Sequence, residues 1–103
     1  MDVVKYFKDQ IKEELEGAEE YIKQAFIMKA MDPNWAKNFV EMATQELNHA
    51  GKLYGMFEQF YQISSKSMTE MPEYIDEARE NIIECYTAKH SMVKNLIDLY
   101  NKG

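Results

Sequence analysis

The chain has 103 residues, of which 46% are apolar and 29% charged, a composition typical of one compact globular domain. The net charge of −6 and the mixing of Lys and Arg with Glu along the chain disfavour a nucleic-acid interface, which needs clustered basic residues. No segment approaches the roughly 18 consecutive apolar residues of a membrane span, and the N-terminus lacks signal-peptide features. We therefore expect a cytoplasmic protein that binds neither nucleic acid nor membrane.

Three helices are predicted, and no segment has the alternating pattern of a strand. Asp32-Pro33 is typical of a helix start, with Asp as N-cap and Pro at the first helical position. The second helix should end before the serine-rich stretch that follows it. The predicted bounds are about Val3–Met31, Pro33–Ile63 and Pro72–Asn101. The fold class is thus all-α, an antiparallel hairpin plus a third helix, in a single domain of residues 1–103.

The first two helices each carry an apolar stripe with the alternating spacing of three and four residues that a helix buries against a partner. In the first helix the stripe is Val4, Phe7, Ile11, Glu14, Ala18, Tyr21, Ala25 and Met28. In the second it is Trp35, Phe39, Met42, Glu46, His49, Leu53, Met56, Phe60 and Ile63. Glu14, Glu46 and His49 are the only carboxylates and the only imidazole on these stripes. Burying an unpaired carboxylate costs several kcal/mol, so the three residues indicate a metal ion.

The hairpin geometry predicts that these three side chains meet. A tight turn at Asp32 makes the first two helices antiparallel, so distance from the turn sets the height of each residue. At about 1.5 Å per residue, Glu14, Glu46 and His49 lie about 27, 21 and 25 Å from the turn. Glu46 and His49 also share one helix face, because they are three residues apart.

The apolar surface predicts a homo-oligomer. The second helix carries another apolar stripe, and it therefore needs more than one neighbour. Three helices with this much apolar surface form a poor closed bundle by themselves, so further copies of the chain are expected to cover the rest. The members of this second stripe are Val40, Ala43, Leu47, Ala50, Tyr54, Phe57 and Tyr61. A shorter second set on the first helix consists of Leu15, Ile22 and Phe26.

The third helix offers no ligand, because Glu84 falls about 180° away from its apolar face. One chain then supplies two carboxylates and one imidazole, fewer than a transition metal usually takes. A two-fold dimer would combine two copies of Glu14 with two Glu46/His49 pairs. That is the di-iron set of a four-helix bundle, a Glu from each of two helices plus a Glu-x-x-His from each of the other two. Its four carboxylates would balance two divalent cations.

These residues resemble the ferritin-like superfamily, and most closely the encapsulated ferritins. The motifs that carry the resemblance are Glu13-Glu14-Leu15-Glu16 with Tyr21, Asp32-Pro33, and Glu46-Leu47-Asn48-His49-Ala50. The resemblance implies a ferroxidase that oxidises Fe²⁺ to Fe³⁺ with dioxygen at a di-iron centre between two chains, for iron storage or detoxification. It implies iron ligands at Glu14, Glu46 and His49, a nearby hydroxyl at Tyr21, and outer carboxylates that attract iron at Glu13 and Glu16.

In that family, dimers assemble into a ring inside a protein shell. The resemblance therefore implies an encapsulin-type shell as a possible partner and a protein nanocompartment as a possible location. No shell-targeting peptide follows the last helix, and Glu20 occupies the place of an aromatic residue expected before Tyr21. Rubrerythrin-like and bacterioferritin-like domains share these motifs. They also carry a second Glu-x-x-His on a fourth helix, which this chain lacks.

Several alternatives stay open. Imidazole with carboxylates suits iron, but zinc or manganese could occupy the same ligands. The chain could instead be a metal-independent helical oligomerisation module, in which the three polar residues only fix register. It could also be a metal-binding bundle with other chemistry, such as peroxide reduction or metal buffering. The single Cys85 is predicted to be a small buried hydrophobe.

Overall fold

A computed structural model describes residues 2–67 and 72–103, and within these ranges the chain forms three α-helices and no strand. The helices are α1 (Val3–Met28), α2 (Pro33–Ser67) and α3 (Glu73–Lys102). They form an elongated body with extents of 57 × 23 × 16 Å. Across the described ranges, every helix is too short or too polar to cross a membrane. The predicted all-α fold with three helices is confirmed.

Side-chain caps fix the start of the first two helices. The Asp2 carboxylate accepts a hydrogen bond of 3.0 Å from the backbone N–H of Lys5. The Asp32 carboxylate accepts hydrogen bonds from the N–H groups of Asn34 and Trp35, at 2.9 and 3.2 Å. These bonds satisfy N–H groups that have no partner within the helix. The predicted N-cap role of Asp32 is confirmed.

α1 is shorter than predicted and ends at Met28 instead of Met31. The Met28 carbonyl accepts hydrogen bonds from the backbone N–H groups of Met31 and Asp32, with N···O distances of 2.9 and 2.8 Å. Residues 29–31 form the turn. A proline disfavours helical geometry in the residue before it. The chain therefore leaves the helix before Asp32-Pro33 and reverses direction in these few residues.

α2 is longer than predicted, because it continues through the serine-rich stretch to Ser67. The Ser65 and Ser67 hydroxyls donate hydrogen bonds to the carbonyls of Gln62 and Ile63, at 2.9 and 3.0 Å. A serine hydroxyl bonded back to the preceding turn satisfies its own polar group and fits within a helix. Serine content alone was therefore a poor indicator of the helix end.

Only one of the two apolar stripes of α2 is buried within the chain. The stripe residues that are buried are Val40, Ala43, Leu47, Ala50 and Phe57, and all of them belong to the second stripe. The stripe that contains Glu46 and His49 is largely open. Trp35, Met56 and Ile63 on it are 55%, 52% and 68% exposed. The prediction that this stripe is buried against a neighbour is therefore not met within one chain.

α3 covers the opposite side of the hairpin, which explains the open stripe. Its buried residues are Ile75, Ile82, Val93 and Ile97, and Cys85 packs half-buried against the core. Lys89 of α3 donates a hydrogen bond to Glu19 of α1, and Arg79 donates to Glu58 of α2. Glu19 lies about 140° around α1 from Glu14, because each residue turns the helix by about 100°. The side of α1 that α3 covers is therefore not the side that carries Glu14. Glu84 is exposed, as predicted.

The core predicts different effects for two matched leucine substitutions. Leu15 is completely buried, whereas Leu99 on α3 is 59% exposed. Leu15→Ala should lower the free energy of unfolding by about 2–5 kcal/mol, because it leaves a cavity. Leu99→Ala should change it by less than about 0.5 kcal/mol. Urea unfolding followed by circular dichroism measures both, and equal effects would contradict this core.

Candidate metal centre

Three side chains from two helices form the candidate metal centre. α1 supplies Glu14, and α2 supplies Glu46 and His49. One ligand atom from each residue lies within 4.8 Å of the other two. The hairpin thus brings together the three residues that the sequence predicted, since similar distances from the turn place them at similar heights.

One oxygen of this cluster lacks a partner that its burial requires. The Glu14 Oε2 atom is buried and accepts no hydrogen bond from any described residue. The His49 Nδ1 atom lies 3.6 Å from this oxygen, which is too long for a hydrogen bond. A buried acceptor without a partner costs about 1–3 kcal/mol. A metal ion between these groups would satisfy the oxygen, so the residues fit a metal.

The electrostatics of the pair lead to the same conclusion. Burial raises the pKa of Glu46 to about 7, and the hydrogen bond that a protonated Glu46 can donate to Glu14, together with the charge of Glu14, acts in the same direction. Glu13 adds to this effect, while His49 opposes it. Ionising both carboxylates in the metal-free chain is therefore energetically unfavourable, and a divalent cation between them would remove this cost.

Most other acidic groups with close partners are paired with lysine or arginine. Hydrogen bonds from Lys23 and Lys89 hold the pKa of Glu19 below its usual range. Asp9 pairs with Lys5 at 2.6 Å, and the Glu58–Arg79 ion pair measures 2.9 Å. No Lys or Arg within residues 2–67 and 72–103 forms an ion pair with Glu14 or Glu46. These two carboxylates are therefore available to a metal in a way that Glu19 is not.

The donor set suits a transition metal but is incomplete. Two carboxylates and one imidazole are ligands of iron, manganese or zinc. The His49 side chain is 54% exposed, so the cluster opens outward onto the face of Trp35 and Met56. This side of the cluster is therefore accessible to solvent or to another molecule.

The other predicted site residues lie around the cluster without joining it. Tyr21 is half-buried about two turns along α1 from Glu14, and its ring centroid lies 6.2 Å from that of Phe39. Glu13 and Glu16 are exposed, and Glu16 lies 3.9 Å from Lys12. The hydroxyl role of Tyr21 and the iron-attracting role of Glu13 and Glu16 remain predictions.

The structure adds neighbours that sequence reasoning missed. A surface cavity of about 320 Å³ lies beside the cluster and is lined by Tyr6, Gln10, Glu14, His49, Lys52 and Leu53. Gln10 is four residues before Glu14, and Lys52 is three residues after His49. That helical spacing was the signal that could have identified both, because such residues share a face.

The raised pKa predicts how the stability of the metal-free protein changes with pH. The folded state holds the Glu46 proton more tightly than the unfolded chain, whose carboxyl has a pKa near 4.5. This contribution is fully present below about pH 4.5 and is lost as pH rises through about 7.

In chelator, the free energy of unfolding of the wild-type protein should fall by about 1–2 kcal/mol more than that of Glu46→Gln as the pH rises through this range. The expected difference is modest because solvent reaches the site. Urea unfolding at a series of pH values measures the difference. Parallel pH profiles for the two proteins would contradict the prediction.

Comparison with known protein families agrees with this geometry. The family model described as Rubrerythrin matches residues 5–103. No curated protein and no solved structure matches the chain. The predicted superfamily is confirmed, and the encapsulated-ferritin subtype is not confirmed by this match. With nearly its whole length matched and a carboxylate–histidine cluster between its first two helices, the chain belongs to the Rubrerythrin family of ferritin-like, iron-binding helical proteins.

Proposed function

We propose that this protein is a ferroxidase that binds Fe²⁺ as its substrate and oxidises it to Fe³⁺ with dioxygen, at a centre shared between two copies of the chain. The observation that carries the proposal is the cluster of Glu14, Glu46 and His49, with its partnerless Glu14 oxygen. Membership of the Rubrerythrin family supports iron as the metal.

Two copies are proposed because one chain supplies half of a di-iron set. The four-helix arrangement uses two Glu-x-x-His pairs, and this sequence contains one, Glu46 to His49. The other imidazole, His90, lies on α3 and has Thr87 three residues before it. A two-fold axis beside the cluster would supply the missing half, because each copy then presents the same residues to the other.

The surface around the cluster supports this axis. Exposed apolar side chains lie on α2 on both sides of the ligand pair, with Trp35 and Met42 before it and Met56 and Ile63 after it. A second hairpin placed here would bury this apolar surface and bring its own ligands to the centre. Four carboxylates with a total charge of −4 would then face two Fe²⁺ ions.

The proposed chemistry balances with dioxygen as the only oxidant and with protons from solvent. Oxidation of two Fe²⁺ ions releases two electrons, which with two protons reduce one dioxygen molecule to hydrogen peroxide. A carboxylate-rich centre binds Fe³⁺ more strongly than Fe²⁺, because the electrostatic attraction grows with the charge of the ion. This difference favours oxidation. Storage or detoxification of the resulting Fe³⁺ is the proposed purpose.

We extend the proposal to the encapsulated-ferritin subtype. In that group, two-helix hairpins pair across a dimer interface to build one centre. The single Glu-x-x-His of this chain and the outward opening of its cluster are the features that favour the subtype. A metal-independent oligomerisation module would use the same apolar face, but it gives no role to the partnerless oxygen of Glu14.

The first test compares two glutamate variants. Glu14→Gln should abolish stoichiometric iron binding, because it removes a charged ligand from each chain, while Glu41→Gln alters an exposed carboxylate outside the cluster. Native mass spectrometry after anaerobic Fe²⁺ addition should find two iron atoms per dimer in the wild type and in Glu41→Gln. Oxygen consumption should be about one molecule per two Fe²⁺.

If the wild type binds no iron, and a chelator changes neither its oligomer mass nor its melting temperature, the result would support the interaction module instead. Consumption of peroxide without consumption of dioxygen would support peroxide reduction. Unchanged iron stoichiometry in Glu14→Gln would remove this residue from the site.

The second test addresses the interface. Met56→Glu places a charge on the apolar face of α2, whereas Leu99→Glu places one on α3, and the two parent residues are similarly exposed. Burying an unpaired charge costs several kcal/mol. With anaerobic Fe²⁺, light scattering at micromolar concentration should find Met56→Glu as a monomer and Leu99→Glu as the wild-type oligomer. Loss of assembly only in Leu99→Glu would place the interface on α3.

A further inference from the structure

Gly17 has an unusually close neighbour for a glycine inside a helix. It lies on α1, three residues after Glu14. A methyl group added at Gly17 would lie 2.9 Å from Glu46 Oε2, closer than real Cβ contacts allow. The three atoms nearest to this methyl position all belong to the Glu46 side chain, at 2.9, 3.6 and 3.9 Å. The carboxylate of Glu46 therefore occupies space that any other residue at position 17 would fill.

Backbone conformation does not explain the glycine. Among the described residues, no glycine has a positive φ, so alanine could adopt the same backbone geometry at Gly17. Glycine also weakens a helix relative to alanine. The remaining explanation for Gly17 is space.

The helical glycines of α2 provide a contrast. Gly55 has no atom within 4 Å of an added methyl group, and Gly51 would meet only the Tyr86 hydroxyl, at 3.3 Å. Gly55 is also about 180° around α2 from Glu46, because it lies nine residues further along. Of the glycines within the three helices, Gly17 alone contacts a residue of the candidate metal centre.

We infer that Gly17 is a positioning residue, whose missing side chain lets the Glu46 carboxylate lie against α1 within reach of Glu14 and His49. This inference rests on the proposed function, because it gives Gly17 a role in holding a metal ligand. With alanine at position 17, the flexible end of Glu46 would turn away from α1. The ligand atoms of Glu46 and Glu14 would then no longer share one ion.

The inference predicts two opposite effects of one methyl group. In the metal-free protein the Glu46 carboxylate is free to move, so Gly17→Ala should stabilise α1 as alanine stabilises any helix. In the metal-loaded protein the same methyl group displaces a ligand. Changes to groups that orient metal ligands typically weaken metal binding by about 10- to 100-fold. If Gly17 were needed only for helix packing, Gly17→Ala would destabilise the metal-free protein as well.

The experiment uses the full chain with Gly17→Ala, and Gly55→Ala as the matched control. Thermal unfolding in chelator reports on the metal-free protein, and anaerobic titration calorimetry with Fe²⁺ reports on binding. Both variants should melt several degrees above the wild type without metal. Gly55→Ala should bind Fe²⁺ as the wild type does, and Gly17→Ala should bind it about 10- to 100-fold more weakly.

A second pair of variants tests whether the effect passes through Glu46. In a Glu46→Ala background the atoms nearest to position 17 are gone, so adding Gly17→Ala should raise the melting temperature in chelator as alanine does elsewhere in a helix. This pair also covers the case in which Gly17→Ala alone does not fold, because the double variant should then recover folding. A double variant that melts below Glu46→Ala in chelator would overturn the inference.

The outcomes separate the inference from the proposed function. If the wild type and Gly17→Ala bind Fe²⁺ equally well, the role of Gly17 is wrong and the iron site stands. If the wild type binds no Fe²⁺, the iron site is wrong and the role of Gly17 fails with it. If Gly17→Ala melts below the wild type in chelator while the Glu46→Ala background does not restore stability, Gly17 serves helix packing instead.

Discussion

Two carboxylates held side by side between apolar helix faces are the constraint on which the rest of this structure depends. Burial and the adjacent Glu14 carboxyl both disfavour the ionised form of Glu46, which is why its pKa rises to about 7. The described residues provide no lysine or arginine partner for either. The hairpin brings the two side chains to similar heights, and the Rubrerythrin family, to which the chain belongs, is an iron-binding family.

The same constraint explains how the chain divides its apolar surface. α2 buries one stripe, from Val40 to Phe57, in the core with α1 and α3. Its other stripe carries Glu46 and His49 and stays open, although it is almost as apolar. Covering that stripe with α3 would have buried more apolar surface in the single chain but closed the exposed side of the cluster. The core and the candidate metal centre therefore use different faces of one helix.

Much of the fold and of the candidate site could be predicted, because both depend on local rules. The N-cap at Asp32 follows from a side-chain oxygen that reaches two backbone N–H groups, at 2.9 and 3.2 Å. The cluster of Glu14, Glu46 and His49 follows from helical periodicity and from counting residues away from one turn. The helix ends at Met28 and Ser67 were harder to predict. They depend on which carbonyls and hydroxyls find partners, and residue type decides that only weakly.

By itself, the sequence determined the three helices, their apolar stripes, the antiparallel hairpin and the face shared by Glu46 and His49, since each depends on spacing along one helix or on one turn. Only the tertiary structure decided which stripe of α2 enters the core, that Glu14 Oε2 lacks a partner, and that Glu46 lies against Gly17. These features depend on how far each helix is rotated about its axis against its neighbours. That rotation is set by the packing of all three helices together, and no single periodic pattern records it.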